Sequence, residues 1–307
     1  MTNKKTGLTH KTRKYIFATL LLIFPIVLFL VFYVFGYLYS IGIAFSEMDF
    51  LGKAKFIGFN RLFDNFKEVF SQFGSDGGLL SISFWNSLKA WGITFVISMP
   101  LYYIFSYFIY KKTAGSRVFQ TISMLPQIMS ALIFSLVFKQ VINGPLIDIM
   151  GFFGSKDFPN LLADGKYAFG VTMFYSIWSS FGMSVVFYSN AMSGVSPEII
   201  ESAQLDGVDN MFEELFYILI PMTFPTFKTM LLIGLTSLFI TDYGLMQFYM
   251  YGAPPEVWNM GYYYTVKIFN TTSTGYPIVA ASGIILTLVS LPIVLTVKHV
   301  TDKVDPM

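Results

Sequence analysis

Six long apolar runs constrain this chain more than any other feature. They extend over about residues 15–45, 85–110, 118–142, 167–192, 224–249 and 276–297. Each run holds about 22 to 31 residues, whereas a membrane helix needs about 20 residues and a membrane strand about ten. Because backbone amides in lipid must find partners inside their own segment, runs of this length predict helices. We expect an all-α polytopic membrane protein with six transmembrane helices.

The composition excludes several classes of protein. Of 307 residues, 54% are hydrophobic and only 12% are charged, and the mean hydropathy is +0.61, outside the range of soluble domains. The chain has no cysteine, which excludes disulfides, thiolate metal sites and cysteine nucleophiles. Its two histidines, His10 and His299, lie in polar ends and leave no histidine-based metal or acid–base cluster inside the fold. The net charge of +2 is too small to indicate nucleic acid binding.

Basic residues beside the apolar runs predict the orientation of the chain. Residues of this kind precede the first run, follow the second and follow the sixth: Lys4, Lys5, Lys11, Arg13, Lys14; Lys111, Lys112, Arg117; Lys298, Lys303. By the positive-inside rule both termini are cytoplasmic. The first run has no cleavage pattern and is interpreted as a retained span. We expect a basic cytoplasmic tail over 1–14 and one six-helix domain over 15–307, with an external segment at 46–84 and a cytoplasmic loop at 193–222.

The loop 193–222 is polar and acidic in an otherwise apolar chain. Ser196 as a cap and Pro197 at the first helical position predict the start of a short helix, and Gly207 predicts its end. Asn210 caps a second helix that runs into Pro221. The pattern predicts a helix–turn–helix elbow whose acids face water or a partner protein. A solvated connector between two spans is the alternative interpretation.

A few polar residues inside the predicted spans are candidates for a transport path. Asp242 is the only carboxylate well inside a span, where an aspartate costs about 2.5 to 3.5 kcal/mol, so it should face a water-filled path or a partner. The alternative is a buried acid bonded to hydroxyls of a neighbouring helix. In the fourth span, Trp178 lies among serines, a combination that suits a sugar, although such serines also serve helix packing. The candidate path residues are Ser176, Trp178, Ser179, Ser180, Ser237, Thr241, Asp242, Tyr243 and Gln247.

Motifs for catalysis are missing from the sequence. The Gly-Lys pairs at Gly52 and Gly165 lack the upstream glycine and the following Ser or Thr of a phosphate-binding loop. Neither a Gly-x-Ser-x-Gly elbow nor a His-Glu-x-x-His helix is present. We therefore expect a chain that is not an enzyme and holds no cofactor or metal of its own.

The elbow also carries a family pattern. Its residues Glu201-Ser202-Ala203, Asp206-Gly207, Ile218 and Pro221 resemble the EAA loop of permease subunits in binding-protein-dependent ABC importers. Ser202 replaces the middle alanine, Ile220 replaces a leucine, and ten residues rather than nine separate Gly207 from Ile218. Shorter segments are similar to the permeases of maltose-type sugar and oligosaccharide importers: Lys55–Asn60, Met124–Pro126 and Gly252–Pro254.

The resemblance implies a fold, partners and a mechanism. It implies the type I importer permease fold in a bacterial cell membrane and half of a translocation path for a sugar. The implied partners are a second homologous permease, two cytoplasmic ATPase subunits that bind ATP and Mg, and an external solute-binding protein, with no nucleic acid. The residues that would dock on the ATPase are Glu201, Ser202, Ala203, Asp206 and Gly207.

Two other functions stay open from the sequence. A permease of the same superfamily for an amino acid, phosphate or a metal would share the elbow, and its external binding protein would bind no carbohydrate. An ion-coupled secondary transporter would need no ATPase and would take up substrate when expressed alone.

Overall fold

The computed structural model describes residues 10–75, 78–153 and 159–304 of the chain. Most of the predicted basic tail, the glycine at 77 in the external segment, and Lys156 and Asp157 of the loop after the third run lie outside the described residues. The described part holds five helices that are long and apolar enough to cross a membrane: Lys14–Ala44, Leu79–Tyr110, Ala131–Phe152, Gly165–Ser193 and Ser273–Val304. A sixth span is present if Met211–Met222 and Phe224–Thr236 count as one bent helix. The predicted helical, multi-pass architecture is confirmed.

The elements alternate long helices with short connecting pieces. In chain order they are α1 His10–Leu28, a π-helical segment Phe29–Val34, α2 Phe35–Ala44, β1 Ser46–Met48, β2 Ala54–Phe56, α3 Asp64–Gly74, α4 Leu79–Tyr110, α5 Ser116–Ile128, α6 Ala131–Asn143, α7 Pro145–Phe152, α8 Gly165–Ser193, α9 Pro197–Leu205, α10 Met211–Glu213, a second π-helical segment Glu214–Leu219, α11 Ile220–Met222, α12 Phe224–Thr236, α13 Leu245–Tyr249, α14 Met260–Asn270 and α15 Tyr276–Val304. Their contacts divide the chain into two compact units, 1–69 with 271–285 and 70–270 with 286–307. The single six-helix domain over 15–307 stays a prediction.

The first unit joins the first long helix to a small hairpin. Strands β1 and β2 pair antiparallel, and Asp49 closes their turn by accepting the amide protons of Leu51 and Lys53 at 3.0 and 2.8 Å. The Asn65 side chain donates to the carbonyls of Ala44 and Ser46 at 2.8 and 3.0 Å, which fixes the start of α3 against the hairpin. These hydrogen bonds give the first part of the predicted external segment a defined fold of a hairpin and a helix.

The second unit is built around the close packing of α8 on α4 and α5. Ser106 on α4 donates to the carbonyl of Val185 on α8 at 2.8 Å. At Gly182 of α8, a built Cβ would lie 2.0 Å from the Ser123 carbonyl oxygen of α5. Only glycine permits this separation of backbones, which is typical of helix packing in membranes.

The third apolar run differs from its prediction. One helix was expected over 118–142, but α5 ends at Ile128, Met129 is extended, and α6 begins at Ala131. Pro126 removes a backbone donor from the last turn of α5. The Gln127 side chain donates to the carbonyl of Ser179, which holds the break against α8. The membrane-length segment is therefore Ala131–Phe152, about ten residues later than predicted.

The fifth apolar run is also interrupted. The prediction of one helix over 224–249 is wrong, because α12 ends at Thr236 and residues 237–244 form turns before α13. Tyr243 and Gly244 have φ angles of 53° and 84°, a left-handed conformation that no α-helix continues through. At its other end α12 meets the preceding helical segment at an angle of 68°.

Candidate functional site

The elbow has the helix–turn–helix form that the sequence predicts. Helix α9 covers Pro197–Leu205, and Gly207 at φ 96° turns the chain behind it. The Asn210 side chain accepts from the Glu213 amide at 2.9 Å and so caps the second helix as predicted. The predicted cap at the first helix is wrong. Ser196 is extended there, but among the described contacts its side chain makes no capping hydrogen bond.

One acid of the elbow is buried rather than exposed. The Glu214 side chain is only 9% exposed, and its Oε2 lies 2.7 Å from Nζ of Lys111 and accepts from Tyr107 Oη at 3.1 Å. Lys111 also lies 5.5 Å from the ring centre of Tyr107 and 5.6 Å from that of Tyr110. The expectation that all acids of the elbow face water or a partner is therefore wrong for Glu214. The Glu214 carboxylate thus joins the elbow to the end of α4.

The extra residue between Gly207 and Ile218 coincides with irregular helix geometry. The segment Glu214–Leu219 is π-helical, and its i→i+5 bonding holds more residues per turn than an α-helix does. Leu215, Ile218 and Leu219 are all buried in it and pack with Tyr103 and Tyr188. The wide turn therefore takes up the additional residue while the apolar side chains still face the core.

The five predicted coupling residues fall into two groups. Glu201, Ser202, Asp206 and Gly207 are exposed at the surface of the elbow. Ala203 is half-buried and packs against the apolar cluster beneath α9, so it faces inward. Some large apolar side chains of the elbow are exposed, including Leu205 at 90% on α9 and Tyr217 at 75% in the segment Met211–Met222 of the bent candidate span.

Two adjoining clefts form a cavity region in the same unit. They have volumes of about 330 and 350 Å³ and share Ser176, Ser180, Thr241 and Tyr243, sizes at the lower end of small-molecule sites. Helix α4 supplies aromatic and polar side chains to the first cleft, and the α5–α6 break supplies Gln127 to the second. Both helix breaks that the sequence missed open onto this region.

The clefts gather most of the predicted path residues. Those that line them are Ser176, Ser179, Ser180, Ser237, Thr241, Asp242, Tyr243 and Gln247. Trp178 lines neither cleft. It packs instead on Phe134 and Phe138, with ring centres 4.9 and 5.9 Å away. Because α8 turns by about 100° per residue, Trp178 cannot share the face of Ser176 and Ser180.

Asp242 lies in the break after α12 rather than inside a helix. Its Oδ1 accepts from the Gly244 amide and its Oδ2 from the Met246 amide, both at 3.2 Å. Its carbonyl accepts from the buried Asn259 side chain at 3.0 Å. The bonds to backbone amides replace the hydroxyl partners of the alternative interpretation. The carboxylate both orders this turn and lines the second cleft.

Sequence reasoning missed several residues of the two sites. Trp91 and Tyr102 line the first cleft from α4, and Tyr102 Oη lies 3.2 Å from Ser180 Oγ. A polar and aromatic face at helical spacing along α4 was the available signal. From the sequence, Glu214 could be recognised only as an acid of the loop. Lys111 could be recognised only as a basic residue that indicates orientation. Among the described residues, no group of three or more His, Asp or Glu could hold a metal ion.

Comparison with known proteins agrees with this architecture. No family model matches the chain. Over 228 residues it is 24% identical to the sn-glycerol-3-phosphate transport system permease protein UgpA of Shigella dysenteriae serotype 1, covering 72% of this chain and 75% of that protein. The corresponding permease of Salmonella typhimurium is 22% identical over the same length.

Two solved structures have the same fold. A bacterial alginate ABC transporter, crystallised with an alginate pentasaccharide-bound periplasmic protein, contains a chain that matches with a TM-score of 0.79 at 19% identity and 96% coverage of each chain. The chain is homologous to the UgpA permease of sn-glycerol-3-phosphate transport systems. A second crystal structure, of a bacterial ABC transporter involved in import of the acidic polysaccharide alginate, matches at 0.77 and 22% identity, with 95% of this chain covered. The sequence relatives are permease proteins of transport systems and so are transport components.

Proposed function

We propose that the chain is a permease subunit of an ATP-driven importer and forms half of the path for a sugar or oligosaccharide. The observation that carries the proposal is that one helix reaches both sites. The last turn of α4 contacts Glu214 of the elbow through Tyr107 and the adjoining Lys111, and residues 91–102 of the same helix line the first cleft. A force applied to the elbow therefore reaches the wall of the cavity through a single rigid element.

The proposal assigns a partner to each surface. The exposed acid Glu201 and the Gly207 turn dock on a cytoplasmic ATPase, and the exposed Leu205 gives the contact an apolar part. ATP and Mg are held by two such ATPase subunits. A second, homologous permease completes the path, and an external binding protein delivers the solute. Both termini and the elbow are then cytoplasmic, and the membrane is that of a bacterial cell.

Transport follows from a difference between two states. Closure of the ATPase pair moves the elbow, and the Glu214–Lys111 contact carries that movement to α4. Such coupling requires that the ATPase contacts the elbow differently in its open and closed states. The cavity then alternates between the two sides of the membrane.

The docking assignment is tested on two elbow positions. Glu201→Lys reverses an exposed charge, and Gly207→Val places a branched side chain at a φ of 96°, which only glycine tolerates well. We expect both variants to insert in the membrane, lose ATPase co-purification and lose uptake. Glu198→Lys, an exposed acid on the same helix, is the matched control. Wild-type uptake and ATPase recovery in both variants would reject the assignment.

A second candidate is import of a phosphorylated polyol. It is favoured by the 24% identity to permeases of the sn-glycerol-3-phosphate system. A ligand screen on the binding protein encoded beside this chain separates the two candidates. A secondary transporter would instead take up solute without any ATPase, driven by an ion gradient.

A further inference from the structure

The two clefts are nearly free of charge. Among the described residues that line them, Asp242 is the only acidic or basic side chain. The three arginines of the chain, Arg13, Arg61 and Arg117, lie outside the apolar runs. Proteins that hold carboxylates or phosphates use guanidinium or ammonium groups for the purpose. Among the described lining residues, the two clefts therefore present one anion, Asp242, and no cation that could bind an anionic solute.

Two lysines on the helices that form the clefts, Lys139 and Lys89, line neither cleft. Lys139 on α6 donates its ammonium protons to the carbonyl of Phe248 at 3.1 Å. Lys89 on α4 is exposed and lines neither cleft. Neither of them therefore offsets the carboxylate of Asp242 at the cavity wall.

Four hydroxyl groups of the clefts give their protons to backbone carbonyls. Ser179 and Ser180 donate to the Ser176 carbonyl at 3.0 and 2.9 Å, Ser237 donates to Ile233 at 2.9 Å, and Thr241 donates to Ser237 at 3.0 Å. A hydroxyl has one proton and two lone pairs, so these oxygens keep only lone pairs for a ligand. The cavity wall is thus rich in acceptors, which suits a ligand that donates.

Gln247 adds to this acceptor character. Its side chain lines the second cleft, and its Oε1 is buried without a hydrogen-bond partner in the described part of the chain. A buried amide oxygen without a donor costs free energy that a ligand hydroxyl would recover. Trp91 and Tyr102 supply aromatic surface in the adjoining cleft, against which the C–H face of a sugar ring packs.

We propose that this half of the path selects uncharged, hydroxyl-rich solutes and that Asp242 excludes anions. The proposal rests on the proposed function and narrows its substrate to a neutral carbohydrate. A sugar hydroxyl donates to Asp242, Gln247 and the serine oxygens. A uronate or a phosphate ester brings acceptor-only oxygens and a like charge to the same place, which is unfavourable in a partly dehydrated cleft.

The test compares two probes with the same hydroxyl-bearing sugar backbone, trigalacturonate and its trimethyl ester, in which methyl esters replace the three carboxylates. Binding of each probe is measured by saturation-transfer NMR on the assembled complex in nanodiscs, without the binding protein, so that only the path selects. We expect the ester to bind about tenfold more tightly than the acid, the effect of one like-charge contact in a semi-polar site.

Two isosteric substitutions test the assignment to Asp242. Asp242→Asn removes the charge and should reduce the preference for the ester to less than about threefold, whereas Gln247→Glu adds a charge and should increase it. Asp148→Asn removes an exposed acid that lines neither cleft and should leave the preference unchanged. Equal or tighter binding of the acid, no binding of the ester, or an unchanged preference in Asp242→Asn would overturn the proposal.

This outcome is separable from that of the importer assignment. A preference for the ester in a complex that shows no ATP-driven uptake would reject the importer and keep the selectivity of the cavity. ATP-driven uptake by a complex that prefers the acid would keep the importer and reject the selectivity.

Discussion

Glu214 in the elbow and Asp242 beside the cavity are two carboxylates with opposite surroundings. Glu214 is buried and meets Lys111 and Tyr107, groups from an element more than 100 residues away in sequence. Asp242 is half-buried, and among the described residues its carboxylate accepts from nearby backbone amides and lines a cleft that has no basic side chain. An acid neutralised by a lysine fixes two elements together. An acid without a cation leaves its charge available to whatever enters the cleft.

The largest effect is expected from breaking the elbow pair. Lys111→Met leaves Glu214 buried without a cation, at a cost of about 3 kcal/mol, the lower end of the range because Lys111 is 32% exposed. Glu214→Leu combined with Lys111→Met should recover most of the loss. The free energy of unfolding in mixed micelles measures both.

Lys112→Met provides the matched control for this pair, since Lys112 is exposed beside Lys111. If Lys111→Met destabilised the chain no more than Lys112→Met does, Glu214 would be equivalent to a surface acid. The contrast between the two carboxylates would then disappear.

The next effect concerns the helix packing that shapes the cavity. Gly182→Ala drives a Cβ against the Ser123 carbonyl, separates α5 from α8, and should destabilise the chain by about 1 to 3 kcal/mol. Gly170→Ala on the same helix has no heavy atom within 4 Å among the described residues. It should be neutral or slightly stabilising, because alanine favours helix. Equal unfolding free energies for the two variants would contradict the close approach.

A smaller effect should separate the two tryptophans of the cavity region. Trp91→Ala removes an aromatic wall of the first cleft and should lower sugar uptake several-fold. Trp178→Ala removes a packing partner of Phe134 and should cost about 1 to 2 kcal/mol of stability, with uptake per folded transporter near normal. Uptake and thermal unfolding measured on the same preparations decide between these roles. If Trp178→Ala lowered uptake and Trp91→Ala lowered only stability, Trp178 rather than Trp91 would line the path.

The smallest effect is expected at an exposed acid outside both sites. The hydrogen bond from Arg61 holds the pKa of Asp64 below its ordinary value. Asp64 therefore stabilises its segment above about pH 4, the ordinary aspartate pKa, and this contribution is lost as the pH falls through the lowered pKa.

Because the Arg61–Asp64 pair is solvent-exposed, the change should be slight. Hydrogen exchange over residues 46–74, corrected for intrinsic rates, measures it, with Asp64→Asn as the pH-independent control. If the pH-dependent loss of stability here were as large as the loss expected for Lys111→Met, burial would not be what distinguishes Glu214 from Asp64.

The elbow shows how far local sequence signals reach. Gly207 and Asn210 predicted the turn and the second cap correctly, because a left-handed position and a side-chain cap depend on neighbouring residues only. Ser196 has the same local preference, but its side chain is not used as a cap. The inward face of Glu214 depends on Lys111 and Tyr107, which no local pattern includes.

The cavity shows the complementary limit. Hydroxyl residues and Asp242 were found from their polarity inside apolar runs, since such residues are costly in lipid unless they have a purpose. The breaks at Met129 and at 237–244 were missed, because hydropathy does not distinguish a continuous helix from two helices that meet in a packed interior.

The sequence by itself determined a helical, multi-pass membrane protein with a polar elbow, because run length, glycine and capping residues act over short stretches of chain. Only the tertiary structure decided which carboxylate meets a cation, which tryptophan reaches the cavity, and where two of the apolar runs break. Those features depend on contacts between distant segments, such as Tyr107 with Glu214 and Gln127 with Ser179. The chemistry of the path therefore follows from how the helices pack.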